Sequence, residues 1–368
     1  MNNELDLSQE KPKHGGNLLA LRRSLGVLQD VKESWIDLSS AVNRHPWPVP
    51  EVPVFLWYEL PDLDSLKQAA ADYYGANNFV PIAGTQQAIE ALPNLLFASE
   101  IRHKTKVLVP EVGYQEHGFA WSKWQYAVDT YKNTQDLTVK SWQVLVLIQP
   151  NNPSANKLTL AELLSLIETA QVRKAYLIID EAFIDGVVGA SLLSHYQDKA
   201  WPACLIVLRS VGKFFGLPGA RVGFCFASQL ILKGLASVTG PWPIATPATW
   251  LLSQAFKDVS WQIQASRDLV SRSQRFEKEI KPLINQFFIA LSQSVRWQQS
   301  ELFYTLFCDE AEGLFEWLQA LSIHVRLGDA WLRFALPADT EFDLISKRVQ
   351  QALLNGQTQG VGQVEEVE

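Results

Sequence analysis

Four short, almost wholly aliphatic runs constrain the fold of this chain more than anything else in it: Val107-Leu-Val-Pro, Val144-Leu-Val-Leu-Ile, Tyr176-Leu-Ile-Ile and Leu205-Ile-Val-Leu. Each is rich in β-branched side chains and bounded by polar residues, proline or glycine, the pattern of a strand buried on both faces. Helical spacing occupies residues 86–98, 159–172 (Leu160, Leu163, Leu164, Ile167) and 247–256, each starting near a threonine or another capping candidate. Strands that alternate with helices pair in parallel through crossovers, so the expectation is an α/β sheet covered on both faces.

Beyond residue 260 the pattern changes. Residues 261–288 read as one long polar amphipathic helix carrying Arg267, Arg272, Arg275 and Lys278. Strand-like segments follow at 294–298, 304–308 and 331–336, with helices near 311–321 and 341–354, a mixture that predicts a smaller α+β domain. The expected organisation is a large domain over 46–260 and a small domain with an N-terminal segment over 1–45 and 261–354. Residues 355–368 are rich in Gly, Gln and Glu with no apolar period, and read as a disordered tail.

Charge and cysteine usage narrow the partners. With 32 Lys+Arg against 39 Asp+Glu the 368-residue chain carries a formal charge of −7 and has no long basic block, which removes the attraction that drives nucleic-acid or anionic-membrane binding. A local basic pocket for a small anion stays compatible with that balance. Cys204, Cys225 and Cys308 lie far apart outside any metal-ligand spacing, so no metal site is expected and they read as buried packing residues in a reducing cytoplasm. Residues 1–13 lack the basic start and apolar run of a secretory signal, and no stretch approaches a membrane span.

Chemistry concentrates at the ends of the aliphatic runs. The segment Leu208-Arg-Ser-Val-Gly-Lys-Phe-Phe-Gly-Leu-Pro-Gly-Ala-Arg-Val-Gly-Phe follows one of them and leads into a further strand at 222–226. Lys213, with Ser210 three residues before it and Arg221 eight after, suits a Schiff-base lysine beside a phosphate clamp, while the segment alone fits a solvated loop equally well. Asp180 ends another run, where open α/β sheets place their ligand crevices; there it either balances a protonated pyridine nitrogen or caps a helix. Asn152 in Gln149-Pro-Asn-Asn-Pro-Ser offers an amide to a ring hydroxyl or simply makes a turn. Gly84-Thr85 precedes a helix, so backbone N–H groups and a hydroxyl face either a phosphate or nothing but the helix start.

The order of these segments decides between the readings. Gly-Thr at a helix start, Pro110-Glu-Val-Gly-Tyr114, Asn-Asn-Pro, Asp-Glu-Ala-Phe, Ser-x-x-Lys with Arg221, and Trp331-Leu-Arg333 together resemble the fold-type-I pyridoxal-phosphate enzymes over nearly the whole chain. The resemblance implies the PLP-dependent transferase (aspartate aminotransferase-like) fold, a large mostly parallel-sheet α/β domain plus a smaller α+β domain, working as a homodimer. It implies pyridoxal 5′-phosphate bonded to Lys213, with Asp180 on the pyridine nitrogen, Asn152 on the ring 3′-oxygen and Tyr114 stacked on the ring. It also implies phosphate ligands Gly84, Thr85, Ser210 and Arg221, and Arg333 on the substrate α-carboxylate. Tyr58 is the candidate that reaches the phosphate of the neighbouring subunit's cofactor.

Within that group the opening Lys13-His-Gly-Gly-Asn17 is similar to the cobalamin-pathway threonine-phosphate decarboxylases. So are Trp35-Ile-Asp-Leu-Ser-Ser, Ala70-Ala-Asp-Tyr-Tyr-Gly, Asp-Glu-Ala-Phe-Ile-Asp185 and Trp331-Leu-Arg-Phe-Ala-Leu-Pro. This likeness implies decarboxylation of threonine O-3-phosphate to 1-amino-2-propanol phosphate, with His14, Asn17 and Arg326 near the substrate, and a handover of product to the next enzyme of the pathway. Phe183, where many fold-type-I relatives have tyrosine, is then no anomaly; the departures are Asn152-Pro-Ser-Ala for the usual Asn-Pro-Thr-Gly and the extra Arg44-His45, read as a longer loop. Trp35, Trp47 and Trp331 fall in the resembling segments as pocket shapers; Trp121, Trp124, Trp242 and Trp250 read as core or dimer packing. The alternative is an aminotransferase of the histidinol-phosphate type. An aminotransferase-like regulator is disfavoured because the N-terminus leaves no room for a DNA-binding module, and a dinucleotide site because no Gly-x-Gly-x-x-Gly follows a strand.

Overall fold

The computed structural model describes residues 12, 15, 16, 35–187, 189–289 and 293–356. In chain order the strands are β1 (Ile36–Asp37), β2 (Phe79–Ile82), β3 (Lys106–Pro110), β4 (Ala127–Tyr131), β5 (Val144–Ile148), β6 (Tyr176–Asp180), β7 (Leu205–Ser210) and β8 (Gly223–Phe226). These are followed by β9 (Arg296–Gln299), β10 (Phe303–Phe307), β11 (Ile323–His324), β12 (Arg326–Gly328) and β13 (Trp331–Ala335). The chain divides into two compact units, one containing residues 46–263 and the other residues 13–45 and 264–368.

In the first unit seven strands form one sheet in the order β2-β8-β7-β6-β5-β3-β4. The four aliphatic runs are its interior: all five residues of β5 are buried, and β3, β5, β6 and β7 pair in parallel. One face carries Val144, Val146, Ile178, Ile206 and Leu208 against Ala88, Ile89 and Leu92 of the Thr85–Leu96 helix and Ile231, Leu232 and Leu235 of the Gln229–Thr239 helix. Each fully buried aliphatic side chain contributes about 1.5–3 kcal/mol, and truncating Ile178 to alanine would cost about 2–5 kcal/mol through the cavity left behind. On the other face, Tyr74 of the Asp64–Tyr74 helix stands edge-on to Phe224, Phe226 and Phe256. The Leu160–Arg173 helix starts where its periodicity predicts, because Thr159 and Glu162 close a reciprocal capping box.

Residues 222–226, read as a further strand, supply β8, the antiparallel strand of the mostly parallel sheet. β8 runs antiparallel to both β2 and β7, because only residues 211–222 join it to β7, folding back through the single turn Val211–Phe214 rather than crossing the sheet. The edges β2 and β4 carry Pro81 and Asp129, respectively, within the strand, where an edge tolerates them. Trp121 is buried as expected, whereas Trp242 is 57% exposed, which, of core and dimer packing, leaves it only the second.

The second unit holds the antiparallel sheet β12-β13-β10-β9 and the parallel pair β1-β11. Its long helix begins in the first unit and runs as Val259–Arg275, a π-helical turn Phe276–Ile280, and Lys281–Ile289. Arg272, read from the sequence as part of a polar face, is buried instead; it donates to the Asn43 side chain at 2.6 Å and to the Pro337 carbonyl at 3.2 Å. Arg44, from the extra dipeptide, pairs with both oxygens of Glu341 on the Asp339–Leu354 helix and donates to the Asp37 carbonyl, and so is engaged within the unit. Among the described residues no helix is long and apolar enough to cross a membrane.

Candidate active site

The carboxyl ends of β5, β6 and β7, the end of β2 and the loop before β8 converge on one cavity in the first unit. Gly84, Thr85, Tyr114, Asn152, Asp180, Ser210, Lys213 and Arg221 all line it, together with Gln86, Ile148, Ala182, Phe183, Gly212, Pro218 and Val222. Eight residues singled out from five separated segments thus meet in one place. Tyr58 does not: it is 84% exposed, just after the short helix Val54–Trp57 and away from the cavity.

One wall of the cavity is an anion seat. Gly84 takes a left-handed φ of 72° and caps the Thr85–Leu96 helix, so the helix's leading N–H groups and positive end lie at the cavity. A side chain at 84 would fill the seat, since its Cβ would lie 3.0 Å from the Arg221 guanidinium. Gly223 and Gly212 are equally crowded: a Cβ at 223 would meet the Thr85 amide and the Arg209 carbonyl at 2.9 Å, and one at 212 would meet Pro218 Cα at 2.9 Å. Backbone amides, the hydroxyls of Thr85 and Ser210, and a guanidinium are the donor set that a phosphate requires.

Asp180 and Tyr114 carry the cavity's proton chemistry. Asp180, only 4% exposed at the end of β6, accepts from the Ala182 amide at 3.0 Å and meets Nε2 of His117 at 3.0 Å, itself buried on the Glu116–Lys123 helix. Asp180 closes a turn rather than capping a helix, and a buried carboxylate so held is suited to keep a ring-nitrogen cation in place. Tyr114 reaches Gln86 with its hydroxyl at 3.2 Å, and Gln86 in turn donates to Glu116 at 2.9 Å, which fixes the ring's plane; burial first, then Glu116, raises the Tyr114 pKa. The Lys213 ammonium stands 5.4 Å from the centre of the Phe183 ring. His117 and Gln86 were not foreseen from the sequence. The only signal was a histidine one helical turn after Tyr114, which looks like any helix residue until β6 is placed beside it.

In the second unit, Arg326 and Arg333 face each other in register across β12 and β13. Arg333 donates to the Ser39 carbonyl at 2.6 Å, the Gly16 amide donates to the Ser39 hydroxyl at 2.8 Å, and Gly15 packs against Ser39 and the Arg326 stem. Burial and then the Arg326 charge lower the Arg333 pKa, and burial lowers that of Arg326. Two adjacent cations so disposed call for an anion. His14 and Asn17 lie outside the described residues.

Known proteins decide what such a chain is. A family model described as aminotransferase class I and II matches residues 55–344. The chain belongs to this family. Among aminotransferase-family relatives, the threonine-phosphate decarboxylase of Pseudomonas aeruginosa is 34% identical over 335 residues, covering 89% of this chain and 93% of its own. The histidinol-phosphate aminotransferase of Yersinia enterocolitica is 33% identical over 144 residues, covering 39% of this chain and 36% of its own. The fold matches the crystal structure of histidinol-phosphate aminotransferase from Sinorhizobium meliloti in complex with pyridoxal-5′-phosphate at a TM-score of 0.74, with 16% identity, 94% of this chain and 97% of that one. The cavity suits the family's cofactor: an anion seat whose glycines admit no side chain, a half-buried lysine and a buried carboxylate are the donors pyridoxal phosphate needs.

Proposed function

We propose that this enzyme decarboxylates L-threonine O-3-phosphate to (R)-1-amino-2-propanol O-2-phosphate with pyridoxal 5′-phosphate as cofactor, in cobalamin biosynthesis. The observation that carries the reading is the reach of the decarboxylase likeness, 89% of the chain against 39% for the histidinol-phosphate aminotransferase.

When bound, pyridoxal phosphate supplies the electron sink for the pair released at Cα. Lys213 would hold the cofactor through its aldehyde, and Gly84, Thr85, Ser210 and Arg221 would hold its phosphate. Asn152 would donate to its 3′-oxygen, Tyr114 would stack on its ring, and Asp180, oriented by His117, would keep the ring nitrogen protonated. Arg333 takes the substrate carboxylate, and Arg326 with His14 and Asn17 takes the distal phosphate. Arg333 would orient the carboxylate for loss as carbon dioxide, the bonding pair going to the cofactor, and Lys213 or a water would return a proton to Cα. On this reading the enzyme works in the cytoplasm as a homodimer, with Tyr58 reaching the partner's cofactor.

The same residues would serve an aminotransferase if the Cα–H bond were the one broken. Incubation of the purified protein with threonine phosphate is expected to yield carbon dioxide and the amino-alcohol phosphate. Glutamate formation from histidinol phosphate and 2-oxoglutarate, with no carbon dioxide from threonine phosphate, would overturn the reading.

A further inference from the structure

Behind the cavity, on the opposite face of the sheet, lies a buried ionic cluster that the chemistry above does not use. Successive strand residues point to opposite faces. Ile206 and Leu208 face the helix-covered core, and Ser210, continuing their alternation, reaches the cavity; Arg209 between them points the other way. Its guanidinium pairs with Glu181 at 3.3 Å through one nitrogen and with Asp185 through the other. All three side chains are buried, Glu181 completely.

Further hydrogen bonds surround the cluster, leaving Arg209 Nε buried without a hydrogen-bond partner among the described residues. Glu181 accepts from the Ser191 hydroxyl at 2.5 Å and the Leu192 amide at 2.8 Å, and Ser191 accepts from Arg209 at 2.7 Å. The Tyr73 hydroxyl donates to Asp185 at 2.9 Å, and the Tyr74 ring lies 4.8 Å from the guanidinium carbon. Burial raises the Glu181 pKa against the pull of Arg209, while Asp185, Tyr74 and Glu181 outweigh burial and keep the proton on Arg209.

An ion pair buried this deeply adds little net stability, because desolvation offsets most of the Coulomb attraction. What it adds is direction. The adjacent pairs Asp180-Glu181 and Arg209-Ser210 each send one residue to the cavity and the other to the cluster, while the Glu181 amide donates to the Leu208 carbonyl at 2.9 Å. We propose that Glu181, Arg209 and Asp185 form a positioning clamp that fixes the spacing of Asp180 and Ser210, and with it the seat of the cofactor. The clamp's role rests on the reading that the cavity holds pyridoxal phosphate.

Arg209→Lys keeps the charge but loses the planar fork that reaches two carboxylates at once. In the holoenzyme it is expected to fold, to raise the cofactor dissociation constant about tenfold, and to move the pH midpoint of the cofactor's visible band by about half a unit. Glu181→Gln is expected to move both readouts as well. A thermal midpoint that falls while cofactor affinity and band titration stay at wild-type values would reduce the cluster to a structural role and overturn the proposal, as would failure of both variants to fold. If the wild type takes up no pyridoxal phosphate, the cofactor reading fails separately. The clamp is then judged by amide hydrogen exchange at residues 180–182 and 209–211, expected about tenfold faster in Arg209→Lys; unchanged exchange overturns it.

Discussion

Folding moves the Arg333 guanidinium into a buried position on β13 with Arg326 as its register partner, and its pKa falls to about 9, burial contributing more than the neighbouring charge. A cation whose folded pKa lies below its ordinary value costs stability wherever it is charged in both states, and that cost is relieved only as pH climbs from about 9 toward the ordinary arginine range. At neutral pH the full cost is present, and on the proposed reading the substrate carboxylate would relieve it. Arg333→Met is therefore expected to leave the urea midpoint of the ligand-free protein unchanged or raised by about 1 kcal/mol equivalent, while KM for threonine phosphate rises about a hundredfold. A variant that loses stability but keeps its KM would show that Arg333 is a structural residue.

The elements of the first unit divide into those that hold the cavity and those that only cover the sheet, and the Leu160–Arg173 helix is of the second kind, with no residue lining the cavity. Thr159→Ala removes its capping box and is expected to cost about 1 kcal/mol in chemical denaturation without changing the decarboxylation rate; a lost rate would tie this helix to the chemistry. Strands β5, β6 and β7 were legible because burial on both faces demands continuous aliphatic runs. Edge strands β2 and β4, with a proline and alternating polar residues, satisfy no such demand and look like loops. The same split holds at the site. Lys213, Asp180, Asn152 and Arg221 each sit at a strand end or glycine loop, where position itself is a signal. His117 meets a carboxylate 63 residues away, and Arg272 is buried by an asparagine 229 residues away, so neither partnership is written in local spacing.

At the scale of the whole molecule, residues 54–60 expose Val54, Phe55, Trp57, Tyr58 and Leu60, each more than half accessible, a density of apolar surface that a subunit interface would cover. Trp57→Asp combined with Phe55→Asp is expected to shift the protein from dimer to monomer in sedimentation velocity; a wild type that sediments as a monomer would remove the homodimer and the role given to Tyr58. The connectivity of the second unit has a different consequence, for the order of synthesis. β1 pairs with β11, Ile36 opposite Ile323, and Arg44 clasps Glu341 across 297 residues of chain. Every strand of the seven-stranded sheet lies between those partners. A ribosome therefore delivers the whole cofactor cavity before it delivers what residues 36–44 pair with, and the segment that carries Ser39 waits, unpaired, for the last part of the chain to emerge.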